Sequence, residues 1–465
     1  MRSPRGRLGV PAFALALLLA ATFAPAVAAV PAEKDLTWTS TRVARSQGYV
    51  VTPAFAVNRD GIGFAAWVDA VGGKYQVKVA RRSSKGRWSA PIALTTRFPW
   101  SSKERWMWAG RPDIAVDQLG RAVAVWAEPK GDVVRIRTAT YRKGRWSRPT
   151  YVSAPGDPAS FPDVEVSASG HAVLTWAGNY AQGITDFTLM SSYRKPRGGW
   201  DAPVRLDTDP SFRLDARPGS PTIDDRGVAT IAWDETNRTG TGRVQVGSRS
   251  GSGGWVTQTL YQNVDRSDGP LVDTSPDGRL TAVWRDLDTV FARHRAPDGT
   301  WGPTEVVYTP APGYTTNVRG VGVADSGLSA VSVQTVQLAG NLVQPLVVLQ
   351  GAPGAAWGPE AVAEPFPQYF IPFTVEDLEV GPRGDVSVTW MKQDQDPDHW
   401  YWTGVRHRLP DGRWLPAEKV GRLSADPVLG SDGRGRLGVV FGDGYVYGGR
   451  QFCCVTLRAM SLARR

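Results

Sequence analysis

Short runs of alternating apolar and polar residues recur along the chain between glycine-containing turns. The clearest set spans Asp113 to Val152. Ile114 to Val116 alternates, and Asp117-Gln118-Leu119-Gly120 forms a turn. Arg121 to Ala127 alternates around Trp126. Val133 to Tyr141 alternates again, and Lys143-Gly144-Arg145 leads into Trp146 to Val152. Period-two alternation in Val, Ile, Thr, Tyr and Trp between turn residues predicts four antiparallel β-strands, lettered A to D. Glycine in the A–B turn supplies a positive φ that other residues resist.

The set repeats. The A–B turn glycine returns at Gly61, Gly120, Gly170, Gly227, Gly278, Gly327, Gly384 and Gly435. Six residues after each comes a large apolar residue: Trp67, Trp126, Trp176, Trp233, Trp284, Val333, Trp390 and Phe441. A tryptophan opens each D strand, at Trp88, Trp146, Trp200, Trp255, Trp301, Trp357 and Trp414. The eighth set, Pro427 to Leu457, has no D strand after it, whereas Leu36 to Val43 resembles one and precedes the first set. This predicts an all-β, eight-bladed β-propeller of four-stranded antiparallel blades, closed by the N-terminal strand pairing into the last blade. The B-strand and D-strand tryptophans, Trp38 included, are expected to be core.

Residues 1–29 read as an export signal: Arg2, Arg5 and Arg7, the apolar run Phe13 to Ala21, then a small-residue cleavage site at Ala26-Val27-Ala28. Residues 30–465 are then a single propeller domain, secreted and extracellular, with no transmembrane segment after signal removal and a monomer as the expected state. Losing the signal lowers the formal charge from +10 to +7. The cations are spread along the chain without a Lys/Arg block, which argues against a nucleic-acid partner. The two cysteines, Cys453 and Cys454, are adjacent, so alternation sends them to opposite faces, and they form no disulfide framework.

Antiparallel order puts the A–B and C–D turns on one face and the B–C and D–A connections on the other. The first are short and uniform. The second are long and divergent, and sites favour such loops. Trp100, Trp106 and Trp108 lie in the link from blade 1 to blade 2. His399, Trp400, Tyr401 and Trp402 lie in the B–C loop of blade 7, beside Tyr369 and Phe370 in the link that enters that blade. These are ligand-binding candidates for sugar or peptide stacking; the alternative is a small satellite core. Two residues after the B-strand anchor stand Asp69, Glu128, Glu235, Asp286 and Asp443, a candidate acidic ring for a cation or for acid–base work. The alternative there is pairing with nearby arginines. Asp394, Asp396 and Asp398 suggest calcium only weakly, since the segment lacks the glycine and distal glutamate of an EF-hand loop. No other metal or cofactor is expected. His294 and His407 occupy equivalent C-strand positions, as packing residues would.

The motifs Val116-Asp117-Gln118-Leu119-Gly120 to Trp126 and Gly144-Arg145-Trp146-Ser147-Arg148-Pro149 resemble those of secreted bacterial β-propeller repeat proteins, distantly sialidase-like and mostly without assigned activity. Asp298-Gly299-Thr300-Trp301 and Asp411-Gly412-Arg413-Trp414 are similar in position to sialidase Asp-boxes but shorter in spacing, and no Arg-Ile-Pro motif is present. The resemblance implies fold and carries over no catalytic residue. The expected function is a non-catalytic propeller that binds an extracellular glycan or other ligand on the long-loop face. The alternatives are a glycoside hydrolase or lyase using carboxylates on that face, and a protein-interaction scaffold.

Overall fold

The computed structural model describes residues 36–99, 111–179, 187–214, 219–265, 269–340, 342–367, 375–393, 401–420, 425–447 and 450–464. They form eight antiparallel sheets, seven of them following chain order from A to D, which together make an eight-bladed β-propeller. The A strands of neighbouring blades touch one another, so they are innermost and surround the axis. The ring closes as the repeat predicts. Leu36–Arg45 pairs antiparallel with the last strand, Arg450–Arg464, as the outer strand of blade 8. Residues 1–35, including the expected export signal, lie outside the described residues. Cys453 and Cys454 fall on the last strand, and their side chains are likewise outside the description.

Local chemistry explains the blade. All eight A–B turn glycines have positive φ, between 71° and 93°. A side-chain oxygen three residues earlier caps most of these turns: Asp117 Oδ1 accepts the Arg121 N–H at 2.8 Å, and Asp224 Oδ1 accepts that of Val228 at 2.8 Å. B strands are buried along almost their whole length, whereas most D strands are short, those of blades 4 and 8 being the long ones. In blade 2 the expected single strand Trp146 to Val152 is split into Arg145–Trp146 and Thr150–Tyr151. Pro149 lies between the fragments and has no N–H to give the ladder, which an outer edge tolerates.

The core is eight hydrophobic clusters, each shared by two neighbouring blades. Trp126 sits with Phe64, Val77 and Val79 of blade 1, and Phe441 with Val405 of blade 7. The six B-strand tryptophans are fully buried. One D-strand tryptophan caps each cluster from outside, half-buried, from Trp88 on the first to Trp38 on the last. The inner ends are tied turn to turn. Asn58 Nδ2 donates to the Asp117 carbonyl, Gln118 N to Ala168 O, Asp225 N to Pro276 O and Gly433 N to Arg59 O. Core packing is therefore circular rather than layered.

Trp126→Ala should destabilise the protein by about 3–5 kcal/mol, measured as a lowered denaturant midpoint. Trp146→Ala, removing a half-buried cap, should cost clearly less. Equal costs would show that the B-strand ring is not the wedge between blades.

Candidate functional site

The five strand-end carboxylates are drawn into the blades rather than presented to solvent as a ring. Glu128 accepts the indole N–H of Trp126 at 2.8 Å and pairs with Arg137 at 2.7 Å. Glu235 accepts from Trp233 at 2.7 Å and pairs with Arg243 at 2.6 Å. Asp69 is buried against Lys78 at 2.7 Å. Asp443 pairs with Arg458. Register supplies the partner: Lys78, Arg137 and Arg458 lie directly opposite the anchors Trp67, Trp126 and Phe441, one diagonal step from the acid. Asp286 accepts instead from the Asp265 N–H at 3.0 Å and the Tyr261 hydroxyl at 3.4 Å. Among the described residues no group of three His, Cys, Asp or Glu side chains is arranged to hold a metal ion.

A second set of acids lines the axis, and its residues escaped the sequence reading. Each inner strand leaves one edge of backbone groups facing the channel, and carboxylates satisfy part of it from blade to blade. Asp113 accepts the Val164 N–H at 2.7 Å, Asp273 that of Val323 at 2.8 Å, and Asp377 that of Leu429 at 2.8 Å. Glu379 accepts the Ser431 hydroxyl at 2.9 Å. Asp113 also hydrogen-bonds Asp163, which accepts from the Ser220 hydroxyl at 2.5 Å. Burial raises both Asp113 and Asp163 above the ordinary carboxylate range, the charge of Asp163 adds to the shift of Asp113, and the two titrate as a unit. Burial pushes Glu165 and Glu379 up to about 8, and neighbouring carboxylates add to the shift. Their positions relative to the A–B turn glycine repeat, seven residues before it for Asp113, Asp163 and Asp377, and five before it for Glu165, Asp273 and Glu379. That registration was the available signal.

Of these acids, Glu165, Asp273 and Glu379 border an axial cavity of about 350 Å³ to which all eight blades contribute. An ion pair spans its mouth on the short-turn face, Arg59 of blade 1 to Asp325 of blade 6 at 2.8 Å. On the long-loop face a separate cavity of about 430 Å³ opens between blades 3 and 4. Phe187, Ser211, Phe212, Thr236 and Arg238 line it. One wall is rigid: the Arg243 guanidinium lies 3.7 Å from the Phe212 ring centroid and bridges Asp209 and Glu235 at 2.9 and 2.6 Å.

Of the aromatic candidates, Trp100, Trp106, Trp108, Tyr369, Phe370, His399 and Trp400 lie outside the described residues, as do Asp394, Asp396 and Asp398. Tyr401 begins the C strand of blade 7. Trp402 follows it, half-buried, with Lys419 Nζ 5.1 Å and Lys392 Nζ 5.8 Å from its ring centroid. The equivalent histidines are structural in their contacts. His294 Nδ1 meets Thr281 Oγ1 at 3.0 Å and His407 Nδ1 meets Ser387 Oγ at 2.8 Å, and burial pushes His407 down to about 4.

No protein-family model and no curated protein matches the sequence. Solved structures with a similar fold include the Hadza microbial sialidase Hz136, at 12% identity and TM-score 0.41, covering 87% of this chain and 77% of that one. The Penicillium chrysogenum alpha-L-arabinanase complexed with arabinobiose aligns at 14% identity and TM-score 0.38, over 68% of this chain and 99% of its own. The WD40 domain of SCAP from fission yeast aligns at 10% and 0.42, over 92% and 94%. At these identities and TM-scores the likeness carries no activity over to this chain. Among the described residues no helix is long and apolar enough to cross a membrane.

The channel acids predict a pH dependence of stability. Glu165 and Glu379 have folded-state pKa values above the ordinary 4.5. Their contribution is complete below that value and is lost as pH rises through about 8. The Glu165→Gln, Glu379→Gln double variant should therefore show a flatter fall in Tm over that window than the parent. Parallel Tm curves would remove these two groups as its source.

Proposed function

We propose that this protein is a non-catalytic binding propeller that takes a glycan on its long-loop face. The observation that carries the reading is the cavity between blades 3 and 4. Its size suits one or two sugar rings, its aromatic wall is held in place by an ion-paired arginine, and hydroxyl, carboxylate and guanidinium groups converge on the space beside it. Apolar ring faces with convergent polar groups match a polyhydroxylated ligand. The strand-end acids support binding over hydrolysis, because four of the five are already committed to cations. Secretion through the N-terminal segment belongs to the same reading, since a rigid scaffold with one divergent face suits an extracellular receptor.

A hydrolase or lyase is the second reading, favoured by one feature. Asp113 and Asp163 share a hydrogen bond at the channel wall, and such a pair holds a proton near neutrality.

The test is a glycan-array screen of the purified protein with Arg238→Ala and Trp402→Ala variants. Binding lost in Arg238→Ala, with folding intact, is the expected result and places the ligand at blades 3 and 4. Loss only in Trp402→Ala moves the site to blade 7. No binding by the parent sinks the glycan assignment. Glycan cleavage by the parent that Asp113→Asn abolishes would replace binding by catalysis.

A further inference from the structure

The short-turn face has its own feature, independent of the cavity between blades 3 and 4. The C–D turns of blades 1, 2 and 3 read RRSSKGRW, RKGRWSR and RKPRGGW, with eleven cations and no acid. The equivalent turns of blades 5 and 7 carry Asp298 and Asp411, and that of blade 6, between Gln350 and Trp357, carries no charge. Because the three turns are consecutive around the ring, folding gathers their charge into one sector.

Between blades 2 and 3 the sector sinks into a crevice of about 500 Å³. Arg121, Arg142, Arg145, Arg148, Arg194 and Arg197 line it. The one carboxylate among its described lining residues, Asp117, is spent on Arg121 Nε. Arg142, Arg145, Arg148 and Arg197 make no ion pair within the described residues. Arg194 is anchored at the back, with Nη1 donating to Thr140 Oγ1 at 2.8 Å and its guanidinium 5.1 Å from the Trp200 ring centroid. Burial, then the charges of Arg142 and Arg121, push Arg194 down to about 10, so it remains a cation at neutral pH. Folding thus holds six arginines around one space with a single carboxylate to offset them, a surplus that a ligand of opposite charge would relieve.

We infer that this crevice binds a tetrahedral oxyanion ester, sulfate or phosphate, carried as a pendant group on a polysaccharide. Guanidinium forks bind such oxyanions in two-point contacts, and arginine supplies all six cations here. The charge lies in a recess rather than on a flat surface, so a pendant group reaches it better than a membrane plane. The tryptophan rings at the site already have partners. Trp146 packs edge-on to Phe64 and Tyr141, and Trp200 lies under Arg194, so the cations rather than open aromatic shelves dominate the recess.

The experiment measures binding of dextran sulfate, dextran phosphate, unmodified dextran and a DNA duplex to the purified protein over a salt series. The comparison variants are Arg145→Glu, Arg148→Glu as a pair and Arg42→Glu, an exposed residue on the outer strand of blade 8. The expected result is salt-dependent binding of one or both esters and none of unmodified dextran. The double variant should bind at least about tenfold more weakly, with an unchanged circular-dichroism spectrum, while Arg42→Glu stays near the parent. Whichever ester binds tighter identifies the source of the oxyanion. Ester binding unchanged in the folded double variant overturns the site. A duplex bound as tightly, and lost in the same variant, overturns the polysaccharide and gives the crevice to nucleic acid. If the double variant does not fold, the parent decides: at low salt, dextran sulfate or dextran phosphate should raise its Tm above that in unmodified dextran, and no difference with either ester overturns the proposal.

Discussion

Every part of this molecule depends on one pairing, that of Leu36–Arg45 against Arg450–Arg464. No blade has a core of its own, because each hydrophobic cluster is divided between two neighbours. The first cluster needs Val440 and Leu457 from the far end of the chain to cover Trp67. Closure therefore gives blade 8 its outer strand and blade 1 its other wall in the same step. It also fixes the circumference, and so decides which turns meet and how wide the channel is.

A closed ring leaves eight inner edges facing one axis, and an unpaired inner N–H is costly away from bulk water. This chain meets part of that cost with carboxylates that reach from one blade to the next, as Asp113 does to Val164 and Asp377 to Leu429. The solution brings acids together in a narrow space, where desolvation and mutual repulsion raise their proton affinity. Perturbed carboxylates in a channel ordinarily invite a catalytic reading. Here most of them have a structural duty that accounts for their position, and only the Asp113–Asp163 contact exceeds it.

The architecture was legible because it repeats. Glycine and tryptophan at fixed spacing announce blade number, strand order and closure. The acid after the anchor is legible too, and pairing with arginine is one of its readings, but the further partner each acid takes is not legible. Glu128 and Glu235 are long enough to accept the indole N–H of the anchor two residues before as well as the cation across the ladder, while Asp69 and Asp443 take the cation without the indole. One methylene and the register of a neighbouring strand decide between those roles, and neither shows in a single strand's pattern. The cavity between blades 3 and 4 was missed for a related reason. Phe187 and Phe212 are ordinary apolar residues in sequence, and only the docking of two connections from adjacent blades turns them into a wall.

The charge pattern shows most clearly how folding changes the meaning of a sequence. Along the chain the basic turns of blades 1, 2 and 3 are separated by whole blades, so the surplus looks diluted and no block of Lys and Arg stands out. A propeller converts a period in sequence into adjacency in space. Three turns one repeat apart become three neighbours on a rim, and the cations of the second and third face one another across the gap between blades. In a repeat fold, charge has to be counted by position within the repeat rather than by distance along the chain. Counted that way, this chain is strongly basic over three blades of its short-turn face and close to balanced over the turns of blades 5 to 7. Shape alone made that face look plain; its electrostatics make it the more distinctive of the two.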